Sequence, residues 1–124
     1  MKIKQDSMAC EAGEYENFTG IIMWGNNEGV VKDACFKLEE WIKSEAIVFY
    51  SGVWLNGIWD YGIWMNGTWE YGGWHNGIWK GGTWKTGNWV KGIWEDGIWE
   101  SGTWEEGIDG NSKSHLNSPN LWKK

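Results

Sequence analysis

The sequence predicts a mainly β protein, a repeat scaffold with a small N-terminal α/β cap, and three observations predict it. Gly-Xaa-Trp returns every five residues from 52 to 107, setting Trp54, Trp59, Trp64, Trp69, Trp74, Trp79, Trp84, Trp89, Trp94, Trp99 and Trp104 in one column. Glycine and tryptophan stand two residues apart, so in an extended chain both point to the same face. The residue between them is mostly β-branched, from Val53 and Ile58 to Ile98 and Thr103, with Gly73 and Asn88 as exceptions, and such residues favour strand geometry. A period this short marks a repeat protein, in which one unit cannot bury its apolar face until the next unit stacks on it.

The elements follow in order. Residues 1–46 form the expected cap. Their first nineteen are polar and predict an irregular start, and Gly20 to Trp24 (GIIMW) reads as a strand ended by Gly25-Asn26-Asn27. Between residues 30 and 43, Val31, Ala34, Cys35, Leu38, Trp41 and Ile42 fall at helical spacing and predict a helix that covers one end of the repeat. On that expectation, removing residues 1–46 leaves an open β edge and an aggregating remainder. The repeat domain spans 47–109. Ile47-Val48-Phe49-Tyr50 begins it with Phe49 in the tryptophan column, and Asp109 ends it by placing a carboxylate there. Residues 110–124 are rich in Asn, Ser and Lys and predict a polar tail.

Composition bounds the function. A chain of 124 residues holds one compact unit with a decorated end. A net charge of −6 without a single arginine argues against direct nucleic-acid binding. Cys10 and Cys35 lack zinc-pair spacing, and residue 1 onward shows no secretory leader, which together predict reduced thiols and an intracellular protein. No apolar run approaches the roughly 20 residues that span a bilayer, so no membrane partner is expected.

The five-residue period resembles the pentapeptide-repeat family, whose members coil as right-handed, four-sided β-solenoids with one pentad per side and two inward positions spaced two apart. The resemblance covers about residues 47–109. It implies a quadrilateral β-solenoid in which Gly and Trp fill the inward positions usually held by a small residue and by Leu or Phe, with about three coils from Phe49 to Trp104. The Asp or Asn that the family places between the inward pair is Ile or Thr here. A rival reading takes Asn66-Gly67, Asn76-Gly77 and Asp96-Gly97 as two-residue turns of an antiparallel β-meander with a tryptophan face. Trp94-Glu95-Asp96-Gly97 also looks like the strand-and-turn half of a MORN repeat. The solenoid is preferred because a meander leaves eleven indoles on one face of a sheet.

The inventory of reactive groups is poor. His75 and His115 lie forty residues apart, Cys35 falls on an apolar stripe, and Ser51 and Ser101 stand at repeat corners with no base in register. No phosphate-binding loop and no metal-ligand spacing is present. The expectation is a protein that is not an enzyme, with no cofactor and no metal. The indoles read as core, because a column fixed across eleven units behaves like one; exposed indoles would instead make a glycan-binding module.

Charge is the remaining surface signal. Lys80, Lys85 and Lys91 are followed by Glu95, Asp96, Glu100, Glu105, Glu106 and Asp109, a candidate acidic stripe for a protein partner. Some pentapeptide-repeat proteins resemble duplex DNA and bind DNA gyrase in its place, so the resemblance also implies a DNA-mimic inhibitor as an alternative. Short Gly-Xaa-Trp arrays resemble those in small proteins of tailed bacteriophages and their hosts. The leading expectation is a non-enzymatic interaction or structural scaffold that binds a host or virion protein, placed in the cytoplasm or the virion, with homo-oligomerisation left open.

Overall fold

The computed structural model describes residues 15–41 and 45–109, so the polar tail and most of the irregular N-terminal start lie outside the described residues. The order is β1 (Tyr15–Trp24), β2 (Asn27–Glu40), β3 (Glu45–Trp59), β4 (Gly62–Trp64), β5 (Thr68–Trp69), β6 (Gly73–Trp74), β7 (Ile78–Trp79), β8 (Thr83–Trp84), β9 (Asn88–Trp89), β10 (Ile93–Trp94), β11 (Ile98–Trp99), β12 (Thr103–Trp104) and β13 (Ile108–Asp109). No described residue is helical.

From β3 onward the chain is a β-solenoid of parallel stacked strands. Each pentad pairs with the pentad fifteen residues away: Thr68 with Thr83 and then Ile98, Gly73 with Asn88 and then Thr103. The antiparallel meander is thereby excluded, and its supposed hairpin turns are corners. At these three corners, and at the Asn56-Gly57 corner, the side chain of Asn66, Asn76, Asp96 or Asn56 accepts a hydrogen bond from the following glycine amide at 2.7–2.9 Å. A fifteen-residue return also means three sides per coil, not four. Twelve rings from Phe49 to Trp104 therefore make four coils rather than three.

The reason for three sides lies in the two fixed residues. Gly52 and every fifth glycine through Gly107 take φ between 104° and 146°, a region that L side chains avoid. At Gly77 an added Cβ would also collide with the carbonyl oxygen of Gly62 one coil below. Such corners exclude an alanine both by backbone conformation and by the close approach of the coil below. Inside, three indoles complete a layer: successive rings meet edge to face at 5.5–5.8 Å and 69–77°. Three edge-on indoles thus fill the interior of a three-sided coil.

Along the axis, rings fifteen apart lie parallel, with centroids 4.2 Å apart for Phe49–Trp64 and 4.8–5.1 Å for the rest. That spacing is imposed by the strand separation of about 4.8 Å. Ladder bonds recur in each pentad, as Lys85 N to Trp69 O at 2.8 Å and Thr83 N to Gly67 O at 3.0 Å. The indoles from Trp54 to Trp99 are at most 1 % exposed and Trp104 is 8 % exposed.

The N-terminal segment corrects the expected helix. Residues 27–40 form β2, which runs antiparallel to β3 and follows the first coil around its corners, while β1 pairs with the outer edge of β2. The helical spacing had a different origin. Val31, Ala34, Phe36 and Leu38 face inward, and a bulge at Asp33 (φ 51°) inserts the extra residue between Val31 and Ala34. The change of phase at that bulge, one of three irregularities in the β2–β3 register, therefore mimics a three-then-four periodicity. The strand expected at 20–24 is likewise longer and begins at Tyr15. Cys35 is buried and present as a disulfide sulfur, against the expected free thiol.

Asn27 ties the hairpin to the coil. Its side chain is 1 % exposed; Nδ2 donates to Trp24 O at 2.9 Å and Glu45 O at 3.3 Å, and Oδ1 accepts from Asp60 N at 2.7 Å and Tyr61 N at 3.1 Å. Every hydrogen-bonding capacity of the amide is used.

Candidate functional site

With both fixed columns inside, any recognition surface must come from the other three columns, and the fifteen-residue period sorts these into faces. The residue preceding each ring points outward. On the first face Val48, Ile63, Ile78, Ile93 and Ile108 stack into an aliphatic ladder. The second face carries Val53, Thr68, Thr83 and Ile98. Ile58, Gly73, Asn88 and Thr103 make the third.

The same sorting disperses the predicted acidic stripe. Glu95 and Asp96 occupy one corner of the fourth coil, Glu100 a second, and Glu105 and Glu106 the third, so five acids ring the axis at one level. Asp109 lies in the ring column above Trp94. Each repeat lysine stands one coil below a glutamate: Lys80 below Glu95, with Nζ 3.3 Å from Oε1, Lys85 below Glu100, and Lys91 below Glu106. Glu105 Oε2 accepts from Asn88 Nδ2 at 2.9 Å. Three of the five acids, Glu95, Glu100 and Glu106, thus stand over lysines of the adjacent coil before they are anyone's binding site. His75 pairs with Asp60 at 3.7 Å, also one coil apart. On the cap, the hydrogen bond from Lys37 to Glu39, followed by the influence of Tyr50, holds the lysine above its ordinary pKa.

Sequence reasoning missed a cleft of about 500 Å³ on the third face. A corner ladder of Gly57, Gly72, Gly87 and Gly102 forms its floor, and Ile58, Tyr71, Thr86, Asn88 and Thr103 line it. It exists because Gly73 leaves a gap where the neighbouring coils carry Ile58 and Asn88. The signal was present, since Gly73 is the only glycine in its column, but its meaning required knowing which residues stack above and below it. A smaller hollow of about 210 Å³ continues toward the cap past Asn56 and Ile58 to Val30 and Ile21. A separate apolar hollow of about 310 Å³ lies on the hairpin between Tyr15, Phe18, Ile21, Met23 and Leu38.

Among the described residues no group of three or more His, Cys, Asp or Glu side chains is placed to hold a metal ion. No helix among them is long and apolar enough to cross a membrane. Comparison of the chain with protein-family models, with curated proteins and with solved structures finds no match.

Proposed function

We propose that the chain is a non-enzymatic interaction or structural scaffold, a pentapeptide-repeat-like rod that presents a protein partner with rigid rows of side chains. The observation that carries this reading is the first face, where Ile63, Ile78, Ile93 and Ile108 repeat at the strand spacing and Ile108 remains 62 % exposed. Aliphatic side chains at fixed spacing on a hydrogen-bonded backbone offer apolar area with little ordering cost, the property a docking platform needs. The likeness of the Gly-Xaa-Trp array to small phage proteins supports a virion or host protein as the partner.

DNA mimicry is the weaker reading, because its acids encircle the rod at one level and three of them stand over lysines in the coil below. Capture from the native host, followed by recombinant binding of the recovered protein, tests both. Ile78→Lys and Ile93→Lys should weaken binding at least tenfold while Thr83→Lys on the second face leaves it unchanged. Loss of binding through Glu95→Lys, Glu100→Lys and Glu105→Lys, with the isoleucine variants binding normally, would replace the scaffold reading with mimicry.

A further inference from the structure

We infer that the cleft on the third face binds a neutral carbohydrate chain lying along the solenoid axis, a ligand additional to any protein docked on the first face. Three independent features point there. The first is the gap itself. Gly73 has none of the positive φ of the corner glycines, and the atoms nearest to a Cβ added to it would be Ile58 Cδ1 at 3.9 Å and His75 at 3.9–4.0 Å. With the nearest atoms at ordinary van der Waals distance, neither the turn nor the packing requires glycine here, so the lattice does not explain it. What its lack of a side chain supplies is room.

The second feature is Asn88 at the edge of that room. Its Nδ2 donates one N–H to Glu105 Oε2 at 2.9 Å in an exposed contact. The amide carries a second N–H, which can donate to a hydroxyl oxygen of a ligand in the cleft. The third is the composition of the rim. Tyr71 is 56 % exposed, a large aromatic side chain at the cleft, and Thr86 and Thr103 line the same trough. An aromatic face beside a few fixed polar groups suits the apolar C–H face and peripheral hydroxyls of a sugar.

Other classes of polymer fit less well. The strands flooring the cleft already pair through their ladder bonds, as Asn88 N to Gly72 O at 2.9 Å and Thr103 N to Gly87 O at 2.8 Å. An extended peptide therefore finds no free edge to join and would leave its own main chain unpaired. No cation lines the cleft to attract a phosphate chain. The site is built from side chains and a glycine floor, and it uses none of the buried indoles.

The test is binding of the full chain to an array of neutral hexose and N-acetylhexosamine oligosaccharides, with titration calorimetry on the strongest binder. Gly73→Val, which fills the gap on a strand, should reduce affinity at least tenfold with no fall in melting temperature. Tyr71→Ala at the exposed rim should give a similar loss, and Thr83→Val on the second face none. Absence of any binder at millimolar sugar, or binding indifferent to both Gly73→Val and Tyr71→Ala, would overturn the proposal. So would selection of neutral extended peptides that bind the cleft in preference to every sugar.

Discussion

Trp69 lies between the parallel indoles of Trp54 and Trp84 and meets Trp64 and Trp74 edge on. Each such pair contributes about 0.5–1.5 kcal/mol beyond area burial, so a thin aliphatic core is offset by ring contacts. The indole N–H groups divide this apparently uniform column. Trp84 Nε1 donates to Ser101 O at 3.0 Å and Trp89 Nε1 to Glu106 O at 3.1 Å, whereas those of Trp54, Trp59, Trp64, Trp69, Trp74, Trp79 and Trp99 are buried without a partner. Replacing an indole by phenyl shrinks both kinds of site alike, and Phe49 shows that the column accepts the smaller ring. Trp84→Phe should therefore cost about 1–2 kcal/mol more than Trp69→Phe in urea-unfolding midpoints, because only the former breaks a hydrogen bond. Equal losses would show that the two donors are energetically alike. At this scale the sequence displayed which residues repeat but not how their donors differ, since that depends on backbone carbonyls seventeen residues away.

Among the elements, β2 gives the first coil a partner along its otherwise open edge, as an exposed strand requires. Its attachment concentrates at Asn27, which joins the hairpin turn to both ends of that coil. Asn27→Ala leaves the amides of Asp60 and Tyr61 without their acceptor and should destabilise the protein by about 2–4 kcal/mol in denaturant titration. A loss below about 0.5 kcal/mol would mean that this junction is not a structural tie. The helix predicted for residues 30–43 failed for a local reason: Asp33 occupies a bulge, and a strand carrying one extra residue changes phase in midcourse. Single-sequence periodicity does not distinguish that change of phase from a helical stripe. The need for a cover was legible from the open end of the repeat, while the form of the cover depended on a backbone angle at one residue.

For the whole molecule, the decisive quantity is the number of sides. The five-residue spacing declared the lattice, but whether three or four pentads close a coil depends on corner angle and ring size together, which no single column displays. Cysteine pairs read it directly. Thr68→Cys with Thr83→Cys sets two residues on adjacent parallel strands, at a Cα separation of about 4.8 Å that a disulfide accepts, and mild oxidation should join them. Thr68→Cys with Asn88→Cys, the pair a four-sided coil would stack, should remain unjoined in peptide maps. The reverse outcome would restore the quadrilateral. Candidate sites inherit the same dependence: one count of sides gathers Ile63, Ile78 and Ile93 into a ladder, opens the cleft at Gly73 and distributes the acids around the axis. The parallel stacks have a further, optical consequence. Three indole columns at fixed mutual angles form an array of coupled transition dipoles, so excitation entering at one tryptophan can migrate among the others. The folded protein should show an exciton couplet in circular dichroism and depolarised emission, and both should vanish together as the coils separate.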